Sequence, residues 1–215
     1  MMNMNWLDRI ERKMGRRYIP NLMKYLCIIM AGMFVLEYLP GLRSAFSLLY
    51  FDRSRILRGE IWRVITFIFL PPNYSLFGVI LSLYFYYFLG TALESRWGSA
   101  RFNLYYLLGV IGNIISGFIL GYATNAYLNT SILLAFAIYY PEMEFLLFFF
   151  LPVKVKWFGY LAAAGLVYWF IVGTWPARLA LLFSLLPVAV FFGKQGWLQL
   201  KMDVRKLQYR WKTRR

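Results

Sequence analysis

Long, continuously apolar blocks, broken by short polar or Pro/Gly-marked stretches, are the strongest constraint on how this chain can fold. A helix that crosses a bilayer core needs about 20 apolar residues. Blocks near that length run from about 22 to 39, 76 to 93, 102 to 123, 128 to just before Pro141, 157 to 173 and 176 to 193. Their apolar character does not alternate from residue to residue, which argues against a membrane β-barrel. With 61% of the chain hydrophobic, too little polar surface remains to cover a water-soluble globule. No linker, low-complexity tract or convincing internal repeat divides the 215 residues, so one all-α membrane domain of six transmembrane helices is expected at 22–193.

Charge sets the expected orientation. The net charge is +15, but the basic residues flank apolar spans, so nucleic-acid binding is not the expected use. Six spans place both termini on one side. That side carries 18 of the 24 Lys and Arg residues, and the other side carries Arg43, Arg53, Arg55, Arg58, Arg63 and Arg178. The positive-inside rule makes the termini cytoplasmic. Residues 1–21, with Trp6, Leu7, Ile10 and Met14 at helical spacing, read as an amphipathic segment on the membrane surface. The tail 194–215 is basic with interleaved Trp197, Leu198, Leu200, Leu207 and Trp211, and reads the same way. The bilayer is therefore an expected partner, and basic flanks of this kind fit a bacterial plasma membrane, with the endoplasmic reticulum as the other option.

Two connections stand out. Residues 41–75 mix Phe46, Leu48, Leu49, Tyr50 and Phe51 with several arginines and predict an amphipathic loop embedded at the membrane surface. Residues 145–152, Phe-Leu-Leu-Phe-Phe-Phe-Leu-Pro, are too short to span and predict an extended or interfacial segment on the cytoplasmic side. Pro187 predicts a kink in the last span. Gly109, Gly112, Ser116, Gly117 and Gly121 give the third span a small-residue face suited to close packing.

Trp62-Arg63-Val64-Ile65-Thr66-Phe67, and then Gly90-Thr91-Ala92-Leu93-Glu94-Ser95-Arg96-Trp97-Gly98, resemble motifs of the rhomboid superfamily. That superfamily holds intramembrane proteases, and derlins and other inactive relatives. The run Phe149 to Trp157 is similar to its loop between spans four and five, and the likeness covers roughly 55–193. It implies a six-helix rhomboid-like bundle in which Trp62, Arg63, Gly90, Glu94 and Gly98 are structural motif residues. Read on their own chemistry, Arg63 pairs with the Trp62 indole, hydrogen-bonds loop carbonyls or anchors to headgroups. Glu94, close to Arg96 and Arg101, predicts a structural ion pair with a loop arginine. Gly90 and Gly98 predict close helix approach or a turn.

Rhomboid proteases use a serine opening the fourth span and a histidine on the sixth. This chain contains no histidine. Ser131, in Asn129-Thr130-Ser131, holds the nucleophile's position without its flanking glycines. The oxyanion positions, counted back from Gly90, fall on Gly78 and Ser82. Ser131 without a base is expected to be a helix cap or a hydrogen-bonding residue of the bundle. One cysteine, Cys27, and no imidazole cannot build a zinc site, and no cofactor motif is present. The expectation is a catalytically inactive rhomboid-like protein that binds transmembrane clients and perturbs the bilayer. The alternatives are a serine protease with non-standard machinery at Ser131 and a small transporter or lipid-handling protein.

Overall fold

The computed structural model describes residues 12, 15, 18–37, 39, 46–72, 75–147 and 151–193. Trp6, Leu7, Ile10 and Met14, which carry the expected N-terminal surface helix, lie outside the described residues, as does the tail 194–215.

The apolar blocks form helices. Helix α1 (Leu22–Glu37) buries Met23, Leu26, Met30 and Phe34, spaced by three and four residues on one face. Two short helices in the first connection follow, α2 (Arg53–Ile56) and α3 (Arg63–Thr66), the latter continued by a 3-10 turn at Phe67–Phe69. Helix α4 (Leu76–Trp97) starts where the Ser75 hydroxyl accepts the Gly78 N–H at 3.1 Å. It packs along α1, and Gly90 makes that possible: a Cβ there would collide with the Met23 side chain.

At Gly98 the chain turns directly from α4 into α5 (Ser99–Leu120) with φ 86° and ψ 152°, a conformation that disfavours any side chain. Gly121 ends α5 in the left-handed conformation, its N–H bonded to the Gly117 carbonyl. Helix α6 (Ala126–Tyr139) begins earlier than its sequence suggests. Its cap position is Asn125, so Asn129, Thr130 and Ser131 lie inside the helix and none of them caps it. The reason is that the last apolar residues of the 121–128 stretch pack better as a helical turn: Leu128 is wholly buried.

The segment after Pro141 is extended, as its composition indicates. Strands β1 (Glu144–Leu147) and β2 (Leu151–Lys154) pair antiparallel, with Glu144 opposite Lys154 and Leu146 opposite Pro152. An otherwise helical molecule thus carries one hairpin among its described residues. Glu142 clamps its base, with Lys154 Nζ at 2.7 Å and Lys156 Nζ at 2.8 Å. Those two ammonium groups pull the exposed Glu142 carboxyl down to about 2.

Helix α7 (Val155–Val172) buries only Val155 and Gly159. Helix α8 (Trp175–Ser184) and α9 (Leu186–Gly193) meet at a 51° bend. Pro187 is the local cause, because it has no N–H for the Phe183 carbonyl.

Length decides which helices can cross a bilayer unaided. Leu76–Trp97, Ser99–Leu120 and Val155–Val172 are long and apolar enough, and the bent pair α8–α9 makes a fourth. Helix α1 has 16 residues and α6 has 14, about 24 and about 21 Å at 1.5 Å per residue. Both fall short of a hydrocarbon core about 30 Å thick.

Candidate functional site

The first connection is organised by a set of donors aimed at its own backbone. Residues 47–50 form a tight turn whose carbonyls are not used in a regular helix. Four successive carbonyls are taken up by three side chains from the α3 region. Arg63 Nη1 donates to Ser47 O at 2.6 Å and to Tyr50 O at 2.9 Å. Trp62 Nε1 donates to Leu48 O at 3.1 Å, and Thr66 Oγ1 to Leu49 O at 2.9 Å.

The charge is balanced locally. Arg63 Nε donates to Glu60 Oε2 at 2.6 Å, and Nη2 lies 2.6 Å from the same oxygen. Arg63 is only 1% exposed. Of the three roles open to Arg63 in the sequence, carbonyl capping is the one realised; a headgroup anchor would require the guanidinium at the surface. Trp62 serves the same turn through its indole N–H.

The outer face of this connection is apolar and open. Leu57 (75%), Ile61 (71%), Ile65 and Trp62 are exposed beside Arg55 and Arg58. Interior carbonyl capping with an exposed greasy rim is what a loop needs in order to lie in a low-dielectric layer without orphaned backbone groups.

Glu94 is buried on α4, and its Oε1 accepts the Asn21 N–H at 2.7 Å. Arg63, the arginine of the first-loop motif, is engaged with Glu60 instead. Glu94 therefore fastens the start of α1 to the end of α4, one turn before Gly98. Next to it, Trp97 gathers Phe102, Tyr105, Tyr139, Phe191 and Phe192 into an aromatic cluster, with ring centroids 5.2 to 6.4 Å away.

Ser131 is fully buried. Its Oγ donates to the Leu128 carbonyl at 2.7 Å, and its own carbonyl accepts the Tyr105 hydroxyl at 2.8 Å. Gly78 lies in the first turn of α4, where its N–H serves the Ser75 cap; Ser82 is one turn further on and half-buried.

The buried hydroxyl of α8 does not turn toward α6. Ser184 Oγ lies 3.0 Å from Ser116 Oγ and 3.2 Å from Asn113 Oδ1, both on α5, and it also donates to Ala180 O at 2.9 Å. Ser116 Oγ reaches Ala180 O at 2.6 Å and Gly112 O at 2.7 Å. A Cβ on Gly112 would strike the Phe183 carbonyl, so the two backbones touch here. The small-residue face of α5 is thus where α8 docks. The sequence reading found its glycines and Ser116 but missed Asn113 and Ser184. The signal was present, since Asn113 and Ser116 stand one turn apart on that face.

A cavity of about 330 Å³ opens between the first connection and the start of α6. Tyr50, Phe67, Leu70, Pro71, Tyr86 and Asn125 are among its lining, and Asn125 Nδ2 ties it shut at one side by donating to Leu70 O at 2.9 Å. Its described lining carries no charged side chain. Such a cavity can hold an apolar or neutral group.

A family model described as Eukaryotic integral membrane protein (DUF1751) matches residues 24–193. The chain belongs to that family. The match runs from α1 to the end of α9 and so includes the carbonyl clasp, the α5–α8 seam and the cavity. Membership overturns the bacterial plasma membrane expected from the basic flanks: this is an integral membrane protein of a eukaryotic family. The error has a physical origin, because positive-inside charge bias orients helices in bacterial and eukaryotic membranes alike. No curated protein matches the chain.

Proposed function

We propose that this member of the eukaryotic integral membrane protein family is a catalytically inactive, rhomboid-like protein that binds the transmembrane helices of client proteins and perturbs the bilayer around it. The reading includes six membrane passages, with both termini cytoplasmic, and no enzymatic activity. The observation that carries it is the use of the serine hydroxyls. Ser131, at the nucleophile's position, donates its proton to the Leu128 carbonyl, and Ser184 on α8 is absorbed by α5. A nucleophilic serine needs a base to take its proton, and the chain has no histidine.

Client binding is supported by what is left open. Helices α4 and α7, the second and fifth expected spans, share no extended interface. Tyr84 on α4 and Trp157, Tyr160 and Leu161 on α7 are exposed. Bilayer perturbation is supported by the short α1 and α6 and by the apolar rim of the first connection. Helices shorter than the hydrocarbon core are accommodated by thinning it.

The test is site-specific photocrosslinking in native membranes. A photoreactive residue replaces Tyr84 or Tyr160 and, as control, Tyr122 at the loop between α5 and α6. The expected result is crosslinks to membrane proteins from positions 84 and 160 and none from 122. Crosslinks to lipid alone from all three positions would sink client binding and leave the lipid-handling reading.

A further inference from the structure

We infer that the cavity between the first connection and α6 binds an uncharged acyl ester, and that Asn129 is the donor to the ester's carbonyl oxygen. This site goes beyond the client-binding reading and does not depend on it. Phe67, Leu70 and Pro71 are the buried part of the lining, and Tyr50, Thr124 and Ala126 are exposed at its mouth. Its volume is about 330 Å³. At about 30 Å³ for a water-sized group, that space holds roughly ten of them, the size of a short acyl chain with its ester.

The polar end of the site is at the start of α6. The Asn125 side chain does not cap that helix, because its Nδ2 goes to Leu70 O instead. The positive end of the helix dipole therefore meets the cavity at Asn125 and Ala126. Asn129 follows one turn later on the same face of α6 as Asn125. It is only 5% exposed, and its Nδ2 has no hydrogen-bond partner among the described residues. Its side chain adjoins that of Tyr86, which lines the cavity. Tyr86 thus connects the cavity to Asn129, and a turn of its ring admits the ligand's acceptor.

The chemistry of the ligand follows from these groups. An amide N–H asks for an acceptor, and a buried donor without one is costly. The described lining has no charged side chain to neutralise a carboxylate or phosphate. An alcohol or a primary amide would bring a further donor that needs its own partner. An ester carbonyl on an apolar chain supplies the acceptor with neither a charge nor an extra donor.

The test uses the full chain purified in a maltoside detergent, which contains no ester. The probe is a decanoyl glycerol with a diazirine on its chain, and the labelled residues are read by mass spectrometry. A matched ether probe lacks only the carbonyl. The expected result is labelling around Tyr50 and Thr124 by the ester. Labelling should be about tenfold weaker with the ether, and about tenfold weaker with the ester on Asn129→Leu, the scale of one buried hydrogen bond. The ester–ether comparison on wild type stands by itself if Asn129→Leu does not fold. Competition by unlabelled dioleoylglycerol would support the site with a membrane lipid as its source. Competition by ethyl decanoate alone would support it with a small free ester as its source. Equal labelling by ester and ether would overturn the carbonyl's role, and undiminished labelling of folded Asn129→Leu would overturn that of Asn129. Labelling that neither competitor reduces, or none at the lining, would overturn the site.

Discussion

Arg63 shows how one residue makes a non-helical segment compatible with a membrane. Its guanidinium supplies fixed donors to two carbonyls and a carboxylate, while Trp62 and Thr66 supply the rest. Removing it takes the guanidinium away from Glu60 and the Arg63 donor away from Ser47 O and Tyr50 O. Arg63 is buried while Glu60 is 30% exposed, so the loss falls below the roughly 3–5 kcal/mol of a fully buried pair, and Arg63→Ala is expected to lower thermal stability in detergent. Arg63→Lys should recover only part of the loss, because an ammonium cannot span the same acceptors. Circular dichroism melts of the two variants check both statements.

A second prediction at this scale concerns pH. The folded Glu142 carboxyl titrates at about 2 rather than 4.5. A depressed carboxylate contributes above its unfolded value and loses that contribution as pH falls through the folded one. The hairpin clamp is therefore expected to loosen between about pH 4.5 and about pH 2. Amide exchange at Glu144 and Phe145 should rise across that window, and Glu142→Gln should remove the pH dependence. The clamp is exposed and screened by salt, so the global melt is expected to move little.

The role of Arg63 was half legible in the sequence. A buried charge in an apolar loop demands a partner, but carbonyl acceptors leave no mark in residue identity. That is why Ser47 and Tyr50 could not be named from the sequence.

Among the elements, the α5–α8 contact is the tightest, and it depends on small residues that let Asn113, Ser116 and Ser184 meet. Gly112→Val should force the backbones apart and unfold or misassemble the bundle. Ser184→Ala, which leaves Ser116 its bonds to Ala180 and Gly112, should cost only about 1 kcal/mol. The pair of variants, followed by thermal aggregation, separates packing from hydrogen bonding.

Helices were the readable elements, because a continuous apolar block and a Pro or Gly break are both local signals. The start of α6 was misread because Asn129-Thr130-Ser131 looks like a cap, whereas the chain enters the helix at Ala126 and buries Asn129 and Ser131. The hairpin was read as extended but not as paired, since Phe-Leu-Leu-Phe-Phe-Phe-Leu-Pro has no alternation from which to fix a register. The bend at Pro187 was readable because proline acts through its own missing N–H.

At the scale of the whole molecule, membership of a eukaryotic membrane family and a bundle of apolar helices are in hand, and the proposal concerns what that bundle does. Its parts are consistent with one another. In that proposal the first connection lies at the membrane surface, two helices are shorter than the hydrocarbon core, and α4 and α7 share no extended interface. Labelling of single cysteines, in a Cys27→Ser background, is expected to place residues 12 and 156 on the cytoplasmic side and residue 58 on the opposite side.

The central claim is that this fold has no activated serine. The measurement that tests it most directly is labelling of the purified protein by a fluorophosphonate probe, comparing wild type with Ser131→Ala and with an active rhomboid protease. No labelling of wild type above the Ser131→Ala background is expected while the active protease labels. Labelling of wild type that disappears in Ser131→Ala would contradict it, and would mean that a group other than histidine takes the serine's proton.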